Sequence, residues 1–386
     1  MKHLYNKDSL LVTLIVGLSV LLWCLPTGYE QAVQTDSLLA KARVVAVDNS
    51  DVLQTLIVRS GIQKLDVEVL NGPYRGQRAQ AMNSLTGKLE LDEVYVAGRT
   101  ILLEFELDQQ GHIRYAVARG NYRLGTTALL MGMFCILLVT VAGWTGCKAV
   151  LSFVFSGLVI WKVMIPLYLK GYDPVFTGLT LVLAMIAVIT FLVGGLTRRG
   201  AVAFLGSLLG LVLTGVLAYL FSRGFRLHGA VRPFAETLLY SGFLNLSLSR
   251  LFQAGVVMGA SGAVIDLAMD ISAAMDEIAK ANPRISLRRH LASGMSVGRS
   301  VIGTMTTTLL FAYSGSYIAM LMLFMGRGVP PTNFLNMHFV SAEILNVLVG
   351  SFGLVTVAPF TALVGSLLFR TAPPPGRQTA AATIHP

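Results

Sequence analysis

Charged residues are scarce in this chain of 386 residues. Asp, Glu, Lys and Arg together make up 13% of the sequence, whereas 54% of the residues are apolar. An ordinary soluble domain carries roughly 25% charged residues, so about half of the usual charge is missing. This deficit excludes an ordinary soluble protein, argues against a disordered one and indicates a membrane protein.

Cysteines and enzyme signatures are also scarce. The three cysteines, Cys24, Cys135 and Cys147, lie in or beside apolar segments and form no CxxC pair, so we expect no metal site and no cofactor. A Walker A loop and the HExxH and GxGD motifs do not occur, so we do not expect an enzyme. Basic runs with interleaved aromatic residues are missing too, which argues against a nucleic-acid partner.

Long apolar runs are plentiful. A helix needs about 20 apolar residues to cross the hydrocarbon core of a bilayer. The sequence predicts eight such spans, and we favour a retained helix over a cleaved signal peptide for the first. The eight predicted spans are Leu10–Leu25, Thr127–Trp144, Ala149–Leu169, Val175–Leu196, Ala201–Phe221, one inside Phe234–Ile278, Val301–Met325 and Phe339–Phe369.

A polar region separates the first two spans. It contains short segments rich in β-branched and aromatic residues, several of which alternate apolar with polar positions, with Gly, Asn and Pro turns between them. This pattern predicts a small all-β domain, either a barrel or a sandwich, with an OB-like barrel as one option. The five predicted strands are Lys41–Asp48, Lys64–Leu70, Glu93–Ala97, Ile101–Leu107 and His112–Ala118.

The distribution of basic residues predicts the topology. Lys and Arg near the spans are concentrated on one side when both termini are cytoplasmic, as the positive-inside rule requires. We therefore expect an anchor in residues 1–30, an extracytoplasmic β domain in 31–123, a seven-helix membrane domain in 124–370 and a disordered cytoplasmic tail in 371–386. The loop Ser222–Pro233 is the exception, because it places three arginines on the outer side. It is expected either to bind lipid headgroups or to fold inward.

Carboxylates within predicted spans are the candidates for a functional site. Asp266 and Asp270 lie one turn apart on one helix face, and two such groups are expected to hold a proton or a cation between them. The alternative is that both simply contact water at the cytoplasmic end. Glu343 and Asn346 lie in the outer half of the last span, where Glu343 is expected either to pair with Arg250 or Arg327 or to form the outer end of a polar path.

Small and hydroxyl residues accompany these carboxylates. Gly255, Gly259 and Gly262 precede the aspartates and predict close helix packing. Hydroxyls of the next span are expected at the depth of the aspartates, where they would complete an oxygen-rich site for a cation or a polar solute. The alternative is that these hydroxyls bond back to their own helix. The hydroxyl candidates are Thr304, Thr307 and Thr308.

These stretches resemble the YibE/F-like family of bacterial multi-pass membrane proteins. The resemblance is carried by Gly259–Asp270, by Val297–Thr308 with Ala312-Tyr313, and by Glu343-Ile344 with Gly350–Leu354. It implies an integral protein of the bacterial inner membrane and adds little about activity. The family pattern favours an acidic residue where this chain has Ser300 and an asparagine where it has Thr307.

Two functions are compatible with the sequence. The first is a transporter or permease of a small solute or ion, in which Asp266 and Asp270 carry the proton or cation. The alternative is a non-transporting envelope protein whose domain 31–123 binds an envelope partner. Both require the lipid bilayer as the surrounding medium.

Overall fold

The structure is a computed structural model that describes residues 2–29, 37–108 and 110–369, with the backbone alone for residues 2–7 and 316. The predicted tail, 371–386, lies outside the described residues, as do residues 31–36 of the predicted β domain. Contacts divide the chain into two compact units. One unit comprises Gly28–Thr140, and the other comprises the remaining described residues.

The first unit contains a small closed barrel. Its strands follow the order β1-β5-β6-β4-β3-β2, and the additional pairing of β1 with β3 closes the ring. The pairs are antiparallel except for the contact of β4 with β6 through Met82 and Val117. The barrel is therefore the correct one of the two predicted architectures. The strands are β1 Ser37–Asp48, β2 Val52–Thr55, β3 Val58–Val69, β4 Arg78–Thr86, β5 Thr100–Leu107 and β6 Ile113–Asn121.

Alternation along the strands fills the barrel. Leu65 and Val67 of β3 are almost completely buried together with Ile101 and Leu103 of β5, because successive residues of a strand point to opposite faces. The apolar half of each alternating pattern therefore forms the core, as the sequence predicts.

The predicted strand Glu93–Ala97 is wrong, because this segment is held by side chains instead of a strand ladder. The N–H of Tyr95 donates to Gln63 Oε1 over 3.0 Å, and the carbonyl of Tyr95 accepts from Gln63 Nε2 over 3.0 Å. Asn83 Nδ2 donates to the carbonyl of Glu93 over 2.7 Å. Gln63 is completely buried, and burial raises the pKa of the Tyr95 phenol to about 12.

Asp92 fastens the turn that follows β4. Its carboxylate accepts the backbone N–H groups of Thr86 and Lys88 over 2.9 Å and of Gly87 over 2.6 Å. These bonds, with that of Thr86 first, lower the pKa of Asp92 because they stabilise the charged form.

Eleven α-helices lie in the described part of the chain. Gly143 interrupts α2 with a positive φ of 56°, and a π-helical turn at Ile160–Met164 joins α2 to α3. The helices are α1 Lys2–Cys24, α2 Leu124–Val159, α3 Ile165–Leu169, α4 Pro174–Gly194, α5 Arg198–Gly224, α6 Ala235–Tyr240, α7 Leu248–Ala281, α8 Leu287–Ser314, α9 Ile318–Gly326, α10 Pro331–Leu335 and α11 His338–Leu368.

Five of these helical segments are long and apolar enough to cross a membrane, or six if α8 and α9 count as one bent span. The predicted number of eight stays a prediction. The difference has two sources: the apolar part of α1, Asp8–Cys24, is short, and Leu124–Leu169 is a single segment of 46 residues. At 1.5 Å per residue that segment would extend about 69 Å, roughly twice the hydrocarbon thickness, which agrees with its interruption at Gly143.

The helices α5, α7 and α11 form the centre of the second unit. Small residues bring α11 close to α5, because a β-carbon placed on Gly353 would lie 2.0 Å from Thr214 Oγ1 and one on Gly206 would lie 2.1 Å from Thr361 Oγ1. The helix α8 packs against α11 in the same way, through Gly298. Glycine at these positions therefore sets the spacing of the central helices.

The predicted span Val301–Met325 contains a sharp bend, and whether it crosses the membrane once stays a prediction. The helix α8 ends at Ser314, a single 3₁₀ turn occupies Gly315–Tyr317, and α9 continues at an angle of 70°. The break coincides with a glycine in a Ser-Gly-Ser sequence, and glycine and serine are common at sharp helix kinks.

Candidate functional site

A buried polar pair on α11 is the best-defined candidate. Glu343 is 9% exposed and Asn346 is 3% exposed, and their spacing of three residues places them on one side of the helix. Glu343 Oε1 and Asn346 Oδ1 have no hydrogen-bond partner among the described residues. Buried polar atoms are nearly always bonded, so either oxygen could accept a hydrogen bond from a polar solute or bind a cation, and the carboxylate could also take up a proton.

Arg232 supplies the positive charge next to this pair. Its Nη1 lies 3.7 Å from Glu343 Oε2 and donates to Tyr317 Oη over 3.1 Å. Its guanidinium also lies over the ring of Phe252, 5.5 Å from the centroid. The predicted ion pair of Glu343 therefore exists, but its partner is neither Arg250 nor Arg327. We name the group of Glu343, Asn346, Arg232 and Tyr317 the Glu343 centre.

A cavity of about 290 Å³ adjoins the Glu343 centre. It is bounded by the break between α8 and α9 on one side and by α10 and α11 on the other. Its lining is mainly apolar, and its polar members are Glu343, Tyr317 and Ser314. Irregular backbone at membrane depth is tolerated where it lines a cavity or is buried in protein. The break in the helix and the buried carboxylate thus meet at one cavity.

Asp266 and Asp270, unlike the buried Glu343 and Asn346, lie on an exposed surface. Both belong to a stripe of α7 that is exposed along its length, and neither forms an ion pair within 4.0 Å among the described residues. A β-carbon on Gly255 or Gly262 of this stripe would meet no described atom within 4 Å. Gly259 alone has a close neighbour, since its β-carbon would lie 2.7 Å from Tyr313 Oη. The predicted packing role of Gly255 and Gly262 therefore finds no partner within the described chain.

The hydroxyls of α8 bond within their own helix. Thr304 Oγ1 donates to the carbonyl of Val301 over 2.9 Å, Thr307 Oγ1 to that of Gly303 over 3.2 Å, and Thr308 Oγ1 to that of Thr304 over 3.0 Å. This is the alternative that the sequence left open. The described chain contains no hydrogen bond between these hydroxyls and either aspartate.

Contacts between helices fix the relative levels of the candidates. Glycine contacts pair residue 294 with 275 and residue 298 with 271, so α8 runs antiparallel to α7 and Thr304 is level with Asp266. Residue 350 faces 260 and 365 faces 275, so α11 runs parallel to α7. The Glu343 centre is then about 13 residues, or about 20 Å, from Asp266 along the axis. The three carboxylates are not brought together.

Comparison with known families agrees with this architecture. A model of the YibE/F-like protein family matches residues 130–371, and a model of the YibE/F family N-terminal domain matches residues 40–119. The chain belongs to the YibE/F-like family. No curated protein and no solved structure matches the chain. The two matched ranges of this YibE/F-like protein correspond to the barrel and to the helical unit.

Sequence analysis missed two members of the Glu343 centre. Arg232 is one of three arginines in the loop Ser222–Pro233, and Tyr317 lies in an apolar stretch that carries no motif. The available signals were the excess of positive charge in that loop and the Ser-Gly-Ser sequence before Tyr317. Within the described residues, no group of three or more His, Cys, Asp or Glu side chains is arranged to hold a metal ion.

Proposed function

We propose that this YibE/F-like membrane protein is a permease for a small solute or ion and that the Glu343 centre takes up the transported or coupled proton or cation. One observation carries the proposal: the buried carboxylate of Glu343 has an unpartnered oxygen and lines a cavity at a broken helix. Polar groups in a membrane domain are costly and are usually retained for a solute or ion path.

The ion pair between Arg232 and Glu343 gives this centre a means of coupling. A proton or a cation that binds the Glu343 carboxylate competes with Arg232 for the same negative charge. Arg232 also donates to Tyr317 Oη at the break between α8 and α9. Release of Arg232 from Glu343 therefore changes a contact at the 3₁₀ turn that separates α8 from α9.

Asp266 and Asp270 form a second candidate station in this proposal. Two carboxylates one turn apart share a proton or a cation more readily than either does alone, because like charges disfavour double ionisation. Their level, about 20 Å from the Glu343 centre, places them towards the other end of the same bundle. We propose them as the exit or entry station opposite the Glu343 centre.

The test is ion flux in proteoliposomes that contain the full chain and a pH-sensitive dye. We expect proton or alkali-cation flux above that of protein-free vesicles, and we expect Glu343→Gln to reduce it at least about ten-fold. The matched control is Glu277→Gln, which removes a carboxylate whose side chain is 74% exposed. Equal flux in wild type and Glu343→Gln would contradict the assignment, and a loss in the control as well would indicate a general effect of charge.

A second function is favoured by one feature of the barrel. The β2–β3 hairpin exposes Leu53, Leu56 and Ile57 with 72%, 89% and 76% of their surface. Three large apolar side chains at one tip are typical of a surface that binds a partner. We propose that this hairpin docks an envelope protein, in addition to or instead of transport.

Cross-linking tests the hairpin proposal. A photoreactive residue at Gln54 is expected to trap an envelope protein in cells, and the triple change of Leu53, Leu56 and Ile57 to serine is expected to abolish the product. The control Leu89→Ser changes an exposed leucine outside the hairpin and is expected to leave it unchanged. Equal cross-linking by the triple variant would refute a docking role for these side chains.

A further inference from the structure

We propose that a second cavity in the helical unit binds a phosphate-type anion. This cavity has a volume of about 370 Å³ and lies where α5 ends and α7 begins. Three arginines line it: Arg223 at the end of α5, Arg226 in the following loop and Arg250 in the first turn of α7. It is separate from the cavity of the Glu343 centre, and the proposal does not depend on transport.

The charges around this cavity are strongly unbalanced. Arg250 pairs with Asp173 of the loop before α4, whereas Arg223 and Arg226 form no ion pair within 4.0 Å among the described residues. The guanidinium of Arg223 lies 4.7 Å from the ring centroid of Tyr219, which orients it. Arginine presents a planar fork of donors that matches a phosphate group. Two uncompensated guanidiniums at one cavity therefore favour an oxyanion.

The start of α7 adds donors of the same kind. The helix has 34 residues, and Ser247 caps it by accepting the N–H of Arg250 over 3.5 Å. The first N–H groups of a helix have no partner within it and carry a partial positive charge. Ser247 and Arg250 both line the cavity, so this positive end borders the same space as the arginines.

A buried polar side chain provides independent evidence that the cavity has a polar occupant. Gln253 lines the cavity and is only 5% exposed, yet its Oε1 has no partner among the described residues. Its Nε2 donates to Ser222 Oγ over 2.5 Å, and Ser222 is also buried. Rotation of the amide by half a turn exchanges the two atoms, so Gln253 can offer an N–H to an anion. The hydroxyl of Ser222, which donates to the carbonyl of Tyr219 over 3.2 Å, would then turn its hydrogen to the amide oxygen of Gln253.

The loop that carries Arg226 is fastened to α7. A β-carbon on Gly229 would lie 2.2 Å from the carbonyl of Leu248, and Ser249 Oγ donates to the carbonyl of Leu227 over 3.1 Å. Arg226 itself adopts a positive φ of 53°, which non-glycine residues rarely do. The N–H of Leu227 donates to the carbonyl of Ser222 over 3.1 Å, so this conformation terminates α5 and fixes the direction in which the loop with Arg226 leaves the helix.

The ligand chemistry is a phosphoryl group, which has two possible sources. One is a free phosphate or a small phosphorylated solute, and the other is the headgroup of an anionic phospholipid. Arg250 lies near the beginning of the candidate span Leu248–Ala281, at a depth that either source can reach. The experiment therefore has one arm for each.

In the first arm, inorganic phosphate is titrated into the full-length protein in a lipid-free, uncharged detergent and binding is measured by calorimetry. In the second, nanodiscs with and without phosphatidylglycerol are compared by lipid analysis of the purified protein. We expect wild type to respond in at least one arm. The double variant Arg223→Gln/Arg226→Gln is expected to lose at least about ten-fold in affinity or lipid enrichment, because two charged hydrogen-bond donors are removed.

Two further variants serve as controls for a general effect of charge and for a loss of stability. Arg284→Gln changes an exposed arginine of the loop between α7 and α8, and it is expected to bind like wild type. Arg226→Lys keeps the charge without the fork and is expected to lose part of the affinity while it melts like wild type without ligand. A response in the phosphate arm identifies a free anion, and a response in the lipid arm alone identifies a headgroup. Equal binding by wild type and the double variant in both arms, or an equal loss in Arg284→Gln, would overturn the proposal.

Discussion

Replacement of Arg232 by methionine is expected to destabilise the helical unit by about 2 kcal/mol. At the observed separation of 3.7 Å from Glu343, two unit charges attract by about 4 kcal/mol at an effective dielectric constant of 20 and by about 1 kcal/mol in bulk water. The side chain of Arg232 is 37% exposed and that of Glu343 is 12% exposed. Solvent therefore screens the pair in part, and we expect its attraction energy to lie between those two limits.

A double-mutant cycle measures this interaction directly. The variant Arg232→Met leaves a buried carboxylate without its counter-charge, which is more costly than the loss of both partners. Glu343→Gln removes that charge, so the double variant is expected to be more stable, by about 2 kcal/mol, than the sum of the two single effects predicts. The unfolding free energies are measured by reversible titration with a denaturing detergent, followed by tryptophan fluorescence.

The matched control is the exposed ion pair of Lys280 and Glu277. Their charged atoms are closer, at 3.0 Å, but the side chains are 62% and 74% exposed. The cycle of Lys280→Met and Glu277→Gln is therefore expected to give a coupling below about 0.5 kcal/mol. If the Arg232 and Glu343 variants were additive to within the same margin, the argument that a buried ion pair organises the Glu343 centre would be refuted.

Three other predictions concern packing and the barrel. Gly353→Ala is expected to cost about 1–3 kcal/mol in the same unfolding assay, because its β-carbon would collide with Thr214. Gly262→Ala has open space around its β-carbon and is expected to leave stability unchanged or to raise it by up to about 1 kcal/mol. Equal effects of the two changes would contradict the helix spacing. Asp92 has a lowered pKa in the folded protein, so its contribution to stability is present above the pKa of the unfolded chain, about 3.9, and is lost as the pH falls through the lower folded value. Asp92→Asn is therefore expected to flatten the acid limb of hydrogen exchange at the turn after β4, measured by mass spectrometry, and an unchanged limb would contradict this role. Gln63→Leu is expected to destabilise the barrel by about 3 kcal/mol in a urea titration of the full chain. The change leaves the buried backbone N–H and C=O of Tyr95 without their partner. A loss below about 1 kcal/mol would show that water replaces the side chain.

The fold class was predictable because it depends on the amino-acid composition and on the spacing of apolar residues along the chain. Apolar runs of about 20 residues predict α4, α5, α7 and α11, and alternation predicts four of the six strands. The segment Glu93–Ala97 has the same alternation but no strand partner, since the amides of Gln63 and Asn83 satisfy its backbone groups. Hydrogen bonds between residues so far apart in sequence cannot be inferred from a local pattern.

The candidate site was predictable only in its acidic members. Glu343 and Asn346 stand out because polar residues are rare in apolar spans. The partner of Glu343 was predicted incorrectly, since the path of the loop that carries Arg232 is set by tertiary contacts with α7. The exposure of Asp266 depends on the rotation of α7, which a helical period alone leaves undetermined.

The packing of the helical unit indicates which part of it can move. The helices α5 and α11 are in contact at Gly206 and Gly353, where a threonine side chain of the other helix occupies the space that a β-carbon would need. Close-packed interfaces of this kind have few alternative arrangements. The helix α9, in contrast, contains no buried residue and follows a break of a single 3₁₀ turn. Because Tyr317 of that turn accepts a hydrogen bond from Arg232, a charge change at Glu343 would act on a helix that has few packing constraints. Opening of the Glu343 cavity is therefore expected to displace α9 relative to a fixed centre of α5, α7 and α11, and not to separate the central helices.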